Sequence, residues 1–154
     1  MAIANDNELR RALDGMSLED RRILGGLFVE SVAHLCKDHR VRRALEVIKR
    51  PDRGDDEMRD AFHDARAHVV ETYSVCGKEF DFPEQASHFV ATALAEALNP
   101  VDQIGNNLNI AWRAAMQARI AKDFELMEQG AGDVESEAER QYRLVDAYLE
   151  RQGG

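Results

Sequence analysis

From Pro83 to Met127 the chain is rich in alanine, with apolar residues recurring at helical spacing. Alanine loses no side-chain entropy in a helix, and its small side chain lets neighbouring helices approach closely. Ala86, Phe89, Val90, Ala93 and Ala97 fall on one stripe of a helix opening at Pro83. Asn99-Pro100 interrupts that pattern, because proline disfavours helix at the residue before it. A second helix is expected from Asp102 to Glu128. Ile104, Leu108, Ala111, Trp112, Ala115, Met116 and Ile120 give it the wide apolar face of a central helix.

The flanking sequence follows the same period. Leu24, Leu27, Phe28, Ser31 and Leu35 align behind Ser17, a candidate N-cap. Gly25-Gly26 sits inside that pattern and suits a close helix crossing. Asp38 can cap the next stripe, Val41, Ala44, Leu45 and Ile48. The run 51–55 breaks the helix, and Asp55 or Asp56 then caps a long one with Met58, Ala61, Phe62, Ala65, Val69 and Tyr73 on one side. Gly77 fits its stop and Phe80-Asp81-Phe82-Pro83 a loop. After Gly130-Ala131-Gly132, Asp133 can cap a last helix carrying Ala138, Tyr142, Val145, Tyr148 and Leu149. No segment alternates as a half-buried strand does. The expectation is an all-α fold of six or seven helices, either a compact orthogonal bundle or a short helical solenoid. Its 154 residues suit one domain, 1–154, with 1–16 and 151–154 peripheral or frayed.

Charge divides the chain. Residues 1–53 carry 11 Lys/Arg and 9 Asp/Glu, whereas residues 54–154 carry 9 and 20. The acidic part repels nucleic-acid phosphate and attracts a basic partner. No apolar run approaches the roughly 20 residues of a membrane span, and Met1 to Arg11 lacks the pattern of a secretory signal. Two cysteines, Cys36 and Cys76, make no disulfide framework, so a reduced cytoplasmic setting is expected.

Several constellations could carry chemistry. Asp60, Asp64 and His68 lie at i, i+4 and i+8 with His63 beside them, which makes this the best candidate metal face. The Glu-x-x-His pair of helical di-metal sites is missing from it. Cys36 and His39 lack a second pair for structural zinc, and no nucleotide-binding or hydrolase motif occurs, so no cofactor is expected. The basic group around Arg40, Arg42, Arg43, Lys49, Arg50 and Arg53 has acidic segments available to neutralise it. Asn106, Asn107, Asn109, Trp112 and Arg113 gather polar groups in the most apolar region, as an interior network or as a pocket or interaction site.

The order of features resembles a group of alanine-rich, all-helical bacterial immunity proteins that accompany polymorphic toxins. The residues that carry the resemblance are Arg42-Arg43-Ala44-Leu45-Glu46, the Gly54-Asp55 loop, the helix from Ala61 to Ala67 and the alanine-rich helix from Ala86 to Ala97. The segment Ala111-Trp112-Arg113-Ala114-Ala115-Met116 and the closing Glu139-Arg140-Gln141-Tyr142-Arg143-Leu144 follow in the same order. Tyr142 stands where that group carries tryptophan. The resemblance implies a non-enzymatic protein that inhibits a toxin by binding it, and the acidic half would suit a basic toxin domain. Two other readings come from the residues alone. One is a metal- or small-molecule-binding protein using Asp60, His63, Asp64 and His68; the other is a structural homodimer paired through the last helix.

Overall fold

A computed structural model describes residues 2–73, 82–105, 108–130 and 136–153. Among them are seven α-helices and no strand: α1 (Asp6–Asp14), α2 (Leu18–Val32), α3 (His39–Lys49), α4 (Asp55–Tyr73), α5 (Phe82–Ala97), α6 (Ile110–Gln129) and α7 (Glu137–Gly153). The all-α expectation holds, and the helices pack as a compact bundle. Helix α5 packs most extensively on α6, and α2 rests against both.

Alanine placement explains that centre. On α6, Ala114, Ala118 and Ala121 face one apolar cluster, while Ala111 and Ala115 face another. Helix α2 divides likewise, with Val29 and Val32 turned to the first cluster and Leu24 and Phe28 to the second. The first cluster joins α2 to α3, α4, α5 and α6; the second joins it to α1, α6 and α7. Gly25 makes the α2–α5 contact close: a Cβ there would lie 2.7 Å from Ala97 Cβ. A Cβ on Gly26 would meet Ile48 Cγ2 at 3.0 Å. Both glycines therefore serve helix crossing, as their place in the pattern implies.

Local signals set most boundaries. Ser17 Oγ accepts the Asp20 N–H at 3.1 Å, and the Asp38 carboxylate accepts from Arg40 N and Val41 N, so both predicted caps are formed. Helix α4 starts at Asp55 itself, with the Gly54 carbonyl accepting the Met58 N–H at 3.0 Å. The expected helix from Asp102 begins eight residues late. Pro100 is followed by a short 3-10 turn (Val101–Gln103), and Asn109 caps α6 through its side-chain oxygen. The expected caps and loop at Gly77, Phe80, Asp81 and Asp133 lie outside the described residues; Phe82 is the first residue of α5. Ser136 Oγ accepts the Glu139 N–H at the start of α7.

Three expectations about burial change. Within the segment expected to be peripheral, residues 6–14 form α1, whose Leu9 and Leu13 are fully buried in the second cluster. Asp6 ties that helix down through Arg119 and the Tyr142 hydroxyl. Tyr73 leaves its apolar stripe and is exposed. The stripe on α7 turns inward, so Tyr148 is buried with its hydroxyl donating to Asp20, and only Leu149 of that set is exposed. The face expected to pair with a second copy is thus largely engaged in the core.

Candidate functional site

Helix α4 carries the two arrangements of most chemical interest along one stripe: an inner side at its His68 end, turned to the α3 cap and α5, and an outer side over Asp56, Asp60 and Asp64 nearer its start. On its inner side His68 lies between the N-cap of α3 and the first half of α5. Its Nδ1 is 3.1 Å from Asp38 Oδ2, and its Nε2 is 2.9 Å from Ser87 Oγ. Ser87 Oγ in turn is 3.3 Å from the sulfur of Cys36, which is buried. An ionised Asp38 only accepts, so Nδ1 carries a proton, and Nε2 is left to accept from Ser87 or, if also protonated, to donate to it.

Asp38 is strongly held in its ionised form. The Arg40 guanidinium, aided by the Arg40 and Val41 backbone N–H groups, keeps its carboxyl well below the usual range. Arg40 also pairs with Glu71 at 2.6 Å and lowers that carboxyl too. Beside this node, Thr72 Oγ1 lies 2.7 Å from both the His68 carbonyl oxygen and His88 Nδ1. If the hydroxyl proton goes to the carbonyl, the ring nitrogen must donate. Burial, with the His68 charge second, draws the His88 pKa down.

The order Asp–His–Ser is the one by which a base activates a serine hydroxyl. Here both ends are tied into helix packing. Asp38 caps α3 and pairs with Arg40, while Ser87 sits within α5 against a thiol whose pKa burial pushes up, the condition of an inert cysteine. The arrangement joins three helices through groups that satisfy one another.

The four residues of the expected metal face are not brought together. His68 turns to Asp38, Asp60 and His63 point to solvent, and Asp64 is half-buried. Among the described residues, ligand atoms of Asp38, His68 and Glu71 do lie within 4.8 Å of one another. The Arg40 guanidinium, 3.0 Å from Asp38 and 2.6 Å from Glu71, already sits between those two carboxylates. Of the expected polar pocket, Asn106 and Asn107 lie outside the described residues. Asn109 is the α6 cap and donates to Asp14, Trp112 lies under the Arg10 guanidinium, and Arg113 pairs with Glu96. Asn109 and Trp112 are linked through Asp14 and Arg10, whereas Arg113 turns away to Glu96.

The outer side of α4 differs. Asp56, Asp60 and Asp64 stand four residues apart, and none has an ion-pair or hydrogen-bond partner among the described residues. Several carboxylates elsewhere are engaged, Glu30 with Lys49, Glu57 with Arg50, Glu71 with Arg40, and Glu96 with Arg113, whereas scattered ones such as Asp123, Glu128 and Glu150 share the unpaired state of the row without its spacing. Asp60 and Asp64 flank a shallow cleft of about 230 Å³ between α3 and α4. Its floor is Ala44, Val47 and Ala61, and Arg43 stands on its α3 side. An apolar floor beside carboxylates suits the stem and head of a lysine or arginine from another molecule. The i, i+4, i+8 spacing was visible in the sequence; that His68 leaves the row and the acids stay unpaired was not.

Comparison with known proteins adds no assignment: no family model, no curated protein and no solved structure matches the chain.

Proposed function

We propose that this chain is a non-enzymatic protein-binding module, an immunity-like inhibitor that engages a basic toxin domain through the outer side of α4. The observation that supports this reading is the unpaired row Asp56, Asp60 and Asp64 beside the cleft floored by Ala44, Val47 and Ala61. Exposed carboxylates lacking internal partners speed encounter with a positively charged surface and fix its orientation. The apolar floor adds a place where cationic side chains lose water. Such a role needs no nucleophile, and the Asp38–His68–Ser87 node then acts as an interlock that holds α4 against α3 and α5.

The test is genetic and direct. The protein encoded by the adjoining reading frame is expressed in a host with and without this chain, and growth is scored. Arrest relieved by this chain, together with a one-to-one complex on copurification, is the expected result. Arrest that persists despite soluble expression of this chain, or no arrest from a domain shown to be expressed, contradicts the proposal.

A further inference from the structure

An open groove of about 880 Å³ lies between the first turns of α2 and α4, the 51–55 turn and the connection after α5. Its polar lining is layered. Arg22 is only 7% exposed, and its guanidinium donates to the Ala97 and Asn99 carbonyl oxygens at 2.9 Å. Those bonds use two of the five N–H donors of a guanidinium. No carboxylate among the described residues lies within ion-pairing distance of Arg22. The Arg53 side chain, 4% exposed, lies in the same groove and contacts Glu19, Met58 Sδ and the Arg50 carbonyl. Burial first and the Arg53 charge second disfavour the charged form of Arg22, and the more distant Glu19 and Asp55 charges offset them only in part.

The groove's carboxylates are higher up. The Glu19 and Asp102 side chains are 60% and 68% exposed, and Asp55 is also exposed. Arg59, half-exposed, is 3.8 Å from Asp102. Leu18, Met58, Leu98, Pro100 and Val101 supply apolar wall. Two cations therefore lie at the floor, where water screens them least, under a rim where carboxylates are well solvated. A buried charge without a contacting counter-ion is costly, and a bound anion relieves that cost.

We propose that this groove binds a small amphiphilic anion, with a carboxylate head on Arg22 and Arg53 and an apolar body along Leu18, Met58, Leu98 and Val101. The acidic rim disfavours polyanions such as nucleic acid, and the apolar wall favours an organic acid over a bare inorganic anion. The cavity volume lies in the range of small-molecule sites, roughly 300–1,000 Å³. This site is separate from the α4 acid row and does not depend on the partner-binding reading.

The test titrates the full chain with octanoate, followed by amide and arginine side-chain NMR shifts, with octanol and inorganic phosphate as controls. Octanoate should move Arg22, Arg53, Met58 and Val101 saturably, with octanol and phosphate weaker. Arg22→Met should weaken octanoate about tenfold or more, as loss of charge-assisted hydrogen bonds implies. Because that variant also strips the Ala97 and Asn99 carbonyls, Val101→Glu at the exposed mouth serves as the second variant and should weaken binding without unfolding. No saturable shift with octanoate, shifts centred outside the groove, unchanged binding by Val101→Glu, or phosphate moving these residues while octanoate does not would each overturn the proposal.

Discussion

On the inner side of α4, His68 contacts Asp38 and Ser87, and through them α3, α5 and the buried Cys36. On the outer side, Asp56, Asp60 and Asp64 contact no partner among the described residues. The two sides belong to one helix and draw on the same kinds of ionisable residue. The difference is whether a neighbouring element supplies a complementary group. Where it does, charge is absorbed into the fold; where it does not, charge remains available to another molecule. Substitutions on the inner side should therefore alter stability, and substitutions on the outer side should alter binding.

The largest effect is expected from Phe62, the α4 side chain buried in the first apolar cluster. Phe62→Ala should cost about 3–5 kcal/mol in urea unfolding. The refolded fraction should still bind the partner. Next comes Asp38→Ala, which removes the α3 cap, one of the two carboxylates on Arg40 and the Nδ1 partner of His68. A cap alone is worth about 0.5–2 kcal/mol. Because the folded-state pKa of Asp38 is depressed, its contribution is full above the unfolded value of about 3.9 and disappears as pH falls through the folded value. Urea midpoints of the two proteins should thus differ at neutral pH and converge in acid. A gap that stays constant into strong acid would place the effect in lost packing instead of charge.

The joint change Asp56→Asn, Asp60→Asn, Asp64→Asn should move stability by no more than about 0.5 kcal/mol, as expected of exposed sites. It should weaken partner binding about tenfold, if three surface charge pairs contribute about 0.5 kcal/mol each. The smallest expected effect is on covalent chemistry. A fluorophosphonate probe should leave Ser87 unmodified, because its hydroxyl lies between His68 and Cys36 inside the helix packing. Labelling abolished by Ser87→Ala would make the inner node a nucleophilic site and erase the contrast between the two sides.

Much of the fold was legible because helical signals are local. Alanine spacing, the Ser17 and Asp38 caps and the Gly25-Gly26 pair each act within a few residues or through simple size. What failed depended on tertiary context. The periodicity from Ile104 to Ile120 ran through Asn109, whose side chain both caps α6 and donates to Asp14 ninety-five positions away. The expectation of a peripheral N-terminus missed Leu9 and Leu13, which are buried only because α2, α6 and α7 supply the opposing faces. The candidate site divided for the same reason. His68 was correctly placed on α4, but Ser87, Arg40 and Glu71 have no sequence signal linking them to it. The same holds for the groove, whose Arg22 and Arg53 are brought together only by the packing of α2 against the 51–55 turn.

The central claim is that the unpaired acid row engages a basic protein. It is tested by a binding titration of the product of the adjoining reading frame, against wild type and the triple Asn variant, at low and high salt. A one-to-one complex is expected that weakens with salt and weakens about tenfold in the variant, with unfolding curves that superimpose. Equal affinity for wild type and variant, or binding indifferent to salt, would contradict it.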